Sequence, residues 1–146
     1  MKRYTVGFVF DKGLENVLLV GKTHPEWQKG KFNGPGGRIE EGETPVQCMA
    51  REMKEEADLS IAEADWKEIA VIEGNDIEVV FFATEYKDEK SDAISMTEEK
   101  VGWFKSNELP PNVISNLRWL IPLSKDRLSE QDTMKGIASV KVTYHG

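Results

Sequence analysis

The stretch GPGGRIEEGETPVQCMAREMKEEADL, residues 34 to 59, opens on glycines and then crowds carboxylates. From Glu40 to Glu56 six glutamates meet only two cations, Arg51 and Lys54. Thr44 followed by Pro45, with Gln47 three places on, is a helix start of the capping-box kind. At about 100° per residue, Val46, Met49, Ala50, Met53 and Ala57 share one face of that helix, and Glu52, Glu55 and Glu56 fall roughly opposite. Glu52 and Glu56 form a like-charge i,i+4 pair, which costs about 0.2–0.5 kcal/mol. A solvated helix face more often alternates its signs. Carboxylates at i, i+3 and i+4 instead present a set of hard oxygens to a divalent cation. The glycines ahead of them let backbone pass close to a ligand and turn amides toward anionic oxygens. The residues alone leave two readings open: a solvated acidic helix, and a device that holds metal and phosphate.

Around this centre the chain reads as alternating strands and loops. Residues 4–10, 16–22, 66–74, 76–86 and 101–105 carry strand patterns, and the junction EGND predicts a turn pairing 66–74 with 76–86. Residues 87–100 are polar and charged and read as a long loop, of a length often given to function. Beyond Pro110-Pro111, residues 112–128 have apolar positions at helical spacing. The tail from Ser129 is open between a last strand and a segment ordered on contact.

The chain has 146 residues, which fits one domain, and 39% hydrophobic with 31% charged residues suits a globular protein. No apolar run is long enough to span a bilayer. The basic start MKRYTVGFVFDKG lacks a small-residue cleavage site and reads as a first strand rather than a targeting segment. One cysteine, Cys48, excludes a disulfide framework within the chain and points to a reducing compartment, the cytoplasm. No histidine lies near it in sequence, so it is not read as a nucleophile. A net charge of −7 argues against a nucleic-acid polymer as partner, yet allows a phosphate ligand carried by divalent cations.

The stretch from Gly37 to Leu59 resembles the signature of the Nudix hydrolases, G-x5-E-x7-R-E-U-x-E-E-x-G-U with U bulky and aliphatic. Gly37 starts it, Glu43 follows, then Arg51-Glu52, Met53, Glu55-Glu56 and Leu59. One position departs: the late glycine of the signature is Asp58. The resemblance implies an α/β fold, an α/β/α sandwich with a mixed β-sheet between helices, as a single Nudix domain over residues 1–146. It implies hydrolysis of a nucleoside diphosphate linked to a further moiety, dependent on Mg²⁺, with Mn²⁺ as the alternative. Carried over residue by residue, Glu52, Glu55 and Glu56 with the Gly37 carbonyl are metal ligands, one glutamate helps activate water, and Arg51 orients the glutamates. Glu43 is structural, tying loop to helix; its other reading is an acid favoured by the helix dipole.

The flank KGKFNGPGGRIEEGET is similar to the MutT-like branch, which hydrolyses (d)NTPs to monophosphate and pyrophosphate and sanitises nucleotide pools. In that branch an asparagine placed like Asn33 contacts a purine edge; a backbone-capping asparagine is the other reading. Phe32 and Trp27 are aromatic and suited to stacking on a base. The acids that the oxidised-purine branch sets before its last helix are Ser115 and Asn116 here, which leaves Asn116 as the candidate base contact. In the branch a further glutamate lies five residues before a Trp-Phe pair; counted from Trp103, that is Glu98, with Glu99 its rival as metal ligand or base. The substrate is then a small nucleotide, with no membrane involved and the oligomeric state open between monomer and homodimer. ADP-ribose or dinucleoside polyphosphate hydrolysis, and a non-catalytic nucleotide-binding module, are the competing functions.

Overall fold

Alternation along the first strand decides which way the rest of the chain faces. In β1 (Lys2–Phe10) Phe8 and Phe10 enter one apolar cluster and Val9 enters the other, the two-residue period of a strand covered on both faces. The protein, a computed structural model, is described over residues 1–89, 92–129 and 139–145. The strands that follow are β2 (Asn16–Gly21), β3 (Phe32–Asn33), β4 (Gly36–Arg38), β5 (Lys67–Gly74), β6 (Ile77–Glu85), β7 (Val101–Lys105) and β8 (Val140–Thr143). They form one sheet in the order β3-β2-β1-β6-β5-β8, with β4 also on β1 and β7 on β2. β1 runs parallel to β6 and β5 parallel to β8, while the other pairs are antiparallel, so the sheet is mixed. The turn expected at EGND closes a hairpin of β5 and β6, with Asn75 and Asp76 both at positive φ.

One helix covers each face. α1 (Pro45–Ala57) buries Met49, Met53 and Ala57 against Val9, Leu18, Val80 and Phe82. α2 (Leu117–Leu128) buries Leu117, Leu120 and Ile121 against Phe8, Phe10, Val17 and Ile69. Full burial of side chains of this size stabilises by about 1.5–3 kcal/mol each. The sandwich expected from the sequence is therefore the one observed. α2 starts at Leu117 rather than directly after the prolines. Residues 112–114 are held in a bridge to Phe32, where Phe32 N–H donates to the Asn112 carbonyl at 3.0 Å and Ile114 N–H to the Phe32 carbonyl at 2.9 Å. In the tail, β8 joins the same sheet beside β5, so the strand reading holds for residues 140–143, while residues 130–138 lie outside the described residues.

β1 has two partners on one edge. Its C-terminal end pairs with β2 through Val9–Leu18 and Phe10–Val17, and its first half pairs with β4 through Tyr4–Arg38, Thr5–Gly37 and Val6–Gly36. The segment that joins β2 to β4 supplies one wall of the cavity described below.

α1 begins as its sequence predicts. Gln47 N–H donates to Thr44 Oγ1 at 3.2 Å and Thr44 N–H donates to Gln47 Oε1 at 2.9 Å. It ends on Asp58 at φ 56°, ψ 29°, the left-handed conformation that a glycine adopts without a Cβ penalty. Asp58 is retained with an exposed ion pair to Lys54 at 2.8 Å. That pair is worth about 0.3–0.5 kcal/mol, and the left-handed penalty for an L-residue is about 1–2 kcal/mol, less for aspartate. Asp58→Gly is thus expected to raise the stability in chelator by a net few tenths to about 1 kcal/mol, read as a higher melting temperature; a lower one would show that the ion pair outweighs the backbone strain.

Candidate functional site

The glycine segment is packed so closely between β1 and α1 that a side chain is excluded at both Gly36 and Gly37. A Cβ on Gly36 would run into the Thr5 carbonyl, and one on Gly37 into the Glu52 carboxylate. This lets Gly36 N–H donate to Glu56 Oε2 at 3.0 Å. Glu52 and Glu56, one turn apart on α1, are consequently half-buried against β4, while Glu55 stays exposed. The buried face of α1 is wider than its apolar pattern indicates, because Cys48 at 0% exposure extends it toward β4. The Cys48 sulfur sits 3.2 Å from Thr5 Oγ1 and 3.8 Å from the Gly37 carbonyl oxygen, and burial pushes its thiol up to about 11. A thiol held in that form packs rather than attacks.

Arg51 gathers the loop and the helix. Its Nε and Nη2 donate to the two oxygens of Glu43 at 2.7 and 3.0 Å, Nη2 also to the Arg38 carbonyl at 3.2 Å, and Nη1 to Glu52 at 2.9 Å and Glu55 at 3.2 Å. The bidentate bond from Arg51 holds the Glu43 carboxyl down at about 2, and Glu43 in turn raises Arg51 above its ordinary value. Burial does the opposite to the other acids. It raises Glu52, against the pull of Arg51, and raises Glu56 to about 7, against the pull of Lys22. Among the described residues no three His, Cys, Asp or Glu side chains are gathered closely enough to hold a metal as they stand. Glu55 is turned onto Arg51 and Glu56 onto the Gly36 amide.

Glu52 and Glu56 form part of the wall of a cavity of about 500 Å³. Gly36, Gly37, Asn33, Asn116, Lys22 and Trp27 line it too. Asn33 is 8% exposed; its Oδ1 accepts from Gly34 N–H at 2.8 Å and its amide donates to Gln28 Oε1 at 3.2 Å, so the backbone-capping role is made. Asn116 precedes α2 without capping it, and its Oδ1 is buried with no hydrogen-bond partner among the described residues. Phe32 is a correction. Neighbouring residues of a strand point to opposite sides, and with Asn33 on the cavity Phe32 packs away from it, on the Phe104 ring at 4.8 Å. Trp27, by contrast, is 65% exposed at the cavity and is no part of the core.

The loop carboxylate is also a correction. Glu98 is exposed and among the described residues reaches Thr23 Oγ1, at 3.4 Å. Glu99, the next residue, is 4% exposed and acts electrostatically on Glu56. Its Oε1 accepts from Lys22 Nζ at 3.0 Å, and its Oε2 accepts from Thr23 N–H at 2.6 Å, Thr23 Oγ1 at 3.1 Å and His24 N–H at 3.3 Å. These bonds hold its carboxyl down at about 2 although burial alone would raise it. The register is set by the loop's anchorage on α1, where Ile94 N–H donates to the Ala57 carbonyl at 2.9 Å and Met96 N–H to the Glu56 carbonyl at 3.1 Å. Lys22, which the sequence reading did not single out, is brought to the cavity by the same contact. Nothing in its local pattern marks it.

A NUDIX domain model matches residues 1–123. Solved structures share the fold. A NUDIX-family hydrolase from Clostridium perfringens superposes with a TM-score of 0.68 at 19% identity, covering 88% of this chain and 98% of that one. A NUDIX hydrolase from Nitrosomonas europaea gives 0.69 at 22% identity, covering 98% and 79%. A MutT structure from work on the proteins of Aliivibrio salmonicida and Vibrio cholerae gives 0.67 at 18% identity, covering 83% and 97%. At such identities the structures establish the architecture, a mixed sheet between two helices, and it is the domain match over most of the length that establishes the lineage: the chain belongs to the Nudix hydrolase family.

Proposed function

We propose that this chain, as one Nudix domain over residues 1–146, hydrolyses a (d)NTP to the monophosphate and pyrophosphate. The observation that carries this reading is the half-buried pair Glu52 and Glu56 on the wall of a cavity of about 500 Å³, a volume suited to a small organic ligand. Nudix hydrolases in general use divalent metal ions. The donor set here fits one. Two carboxylates stand one turn apart, both raised by burial, with Arg51 and Lys22 as the cations acting on them, so the site is short of positive charge for its oxygens. Glu52, Glu55 and Glu56 with the Gly37 carbonyl would hold Mg²⁺, or Mn²⁺ in its place, which when bound offsets phosphate charge and polarises the phosphoryl oxygen.

The chain's own residues divide the remaining work. Arg51, fixed by Glu43, orients Glu52 and Glu55 from their outer side. Gly36 and Gly37 line the cavity next to α1, where the phosphates would lie. Water attacks the α- or the β-phosphorus, a P–O bond to it forms, the bond from that same phosphorus to the α–β bridging oxygen breaks, and the chain separates into monophosphate and pyrophosphate. One of the α1 glutamates takes the proton released by the water; Glu56, on the cavity wall, is the candidate. Asn33 and Asn116 flank the base. The buried reduced Cys48 accords with a reducing compartment, and the reading there is of a cytoplasmic enzyme that clears unwanted nucleotides.

A screen of (d)NTPs, ADP-ribose and dinucleoside polyphosphates for Mg²⁺-dependent product release tests the reading. Pyrophosphate from a triphosphate is the expected result. Release only from ADP-ribose, or binding without release, would replace it with one of the competing functions. Glu55→Gln and Glu56→Gln should each lower turnover by about 10²-fold or more while the protein stays folded. Full activity in both variants would remove α1 from the chemistry.

The raised Glu56 carboxyl has a sign that stability measurements can read. Between its ordinary 4.5 and about 7 the folded chain holds a proton that the unfolded chain has released. Stability in chelator should therefore fall as pH rises through that window, and Glu56→Gln should flatten the dependence. A melting temperature in EDTA that climbs from pH 5 to pH 8 in the parent and is unchanged in slope by the substitution would contradict the burial of this acid.

Asn116 makes a separate prediction. An orphaned acceptor costs stability without a ligand and returns it with one. Asn116→Ala should leave the melting temperature equal or higher while reducing discrimination between purine and pyrimidine triphosphates by about 1–3 kcal/mol. An unchanged ranking of bases would assign Asn116 to the wall alone.

A further inference from the structure

The loop that carries Glu99 is bonded at one end to the last carbonyls of α1 and at the other to the segment Lys22–His24. Lys22 lies between. Its side chain is 12% exposed, its ammonium bonds Glu99 Oε1 at 3.0 Å, and its charge acts on Glu56 across the cavity wall. It is the one lysine or arginine among the described residues lining the cavity. A flexible four-carbon side chain points nowhere in particular unless something fixes it. Glu99 does so through the 3.0 Å bond to the ammonium. We propose that Glu99 is a positioning residue that fixes Lys22 in the cavity wall as the cation meeting the substrate's phosphates. Its bond to Lys22 takes one of three ammonium N–H donors, so donors remain for phosphate oxygens.

The alternative use of Glu99, as a direct metal ligand, conflicts with its bonds. Both oxygens are taken by four donors, and turning the carboxylate away would leave Thr23 N–H and His24 N–H without their acceptor. The loop acid thus acts on the substrate through a lysine. The inference rests on the proposed nucleotide chemistry, but it predicts a polyphosphate contact that is measurable without turnover.

The test compares the parent protein with Lys22→Met, Lys22→Arg, Glu99→Gln and the Lys22→Met/Glu99→Gln double variant. The probes are inorganic tripolyphosphate and a non-hydrolysable α,β-methylene triphosphate, with Mn²⁺ binding followed by electron paramagnetic resonance in the absence of either. Glu99→Gln keeps an oxygen for the Thr23 and His24 amides, and Lys22→Met leaves Glu99 bonded to them, so the variants are expected to fold; Tm checks this. Lys22→Met and Glu99→Gln should each weaken both probes by about tenfold or more, and the double variant should be no weaker than the worse single. Lys22→Arg should recover most of the binding. Mn²⁺ affinity should change by less than about twofold in all of them. Loss of Mn²⁺ affinity in Glu99→Gln, additive effects of the two single changes, or undiminished tripolyphosphate binding by Lys22→Met would each overturn the proposal, as would a parent protein that does not bind tripolyphosphate. If the parent binds tripolyphosphate and not the nucleoside analogue, the nucleotide reading fails while the role of Lys22 and Glu99 stands.

Discussion

The bidentate bond from Arg51 to Glu43 is the constraint on which the site depends. Glu43 lies in the loop that leads into α1 and Arg51 lies two turns along it, so the pair clamps the glycine loop to the helix. With the clamp closed, Gly36 and Gly37 sit against Glu56 and Glu52, and two carboxylates are carried into partial burial. Arg51 offsets only part of the resulting repulsion, since its other donors are shared between Glu52, Glu55 and the Arg38 carbonyl. An apolar replacement of the ion pair would pack as well or better. It would not bring loop backbone and acidic helix into register.

The charge arrangement follows from this clamp. Glu43 and Glu99 are held ionised by cations and backbone amides, and Glu56 is pushed the other way by burial. Acids a short distance apart are thus driven in opposite directions, and such separation of titration is what assigns acids different tasks in a shared site. The two that are held down tie segments of chain together. Glu56, pushed up as Glu52 is, borders the cavity beside it.

What was legible in the sequence was local or strictly spaced. The capping box at Thr44, the hairpin at EGND and the strands that alternate across the sheet are each dictated by neighbours within a few residues. The signature from Gly37 to Leu59 gave the family for the same reason. What was not legible depended on contacts far apart in sequence. Glu98 and Glu99 are indistinguishable in a polar loop, and the choice between them is made by the hydrogen bond from Met96 to the Glu56 carbonyl. Lys22 is one lysine at the end of a strand until residue 99 meets it, 77 positions on. Phe32 could have been read: if Asn33 faces the cavity, strand alternation turns its neighbour toward Phe104.

The same long-range contacts explain why an acidic chain can have a site for anions. With a net charge of −7 the overall field repels phosphate, so attraction has to be local. Arg51 is spent on orienting carboxylates, which leaves Lys22, half-buried and held by Glu99, as the positive group lining the cavity. A cation in partly desolvated surroundings acts more strongly than one in bulk water, because the effective dielectric is lower. The pairing with Glu99 offsets much of its field, so Lys22 alone would bind an anion weakly. On the proposed reading, tight binding of a polyphosphate therefore requires a divalent cation at Glu52 and Glu56 together with the Lys22 ammonium, both charges at once.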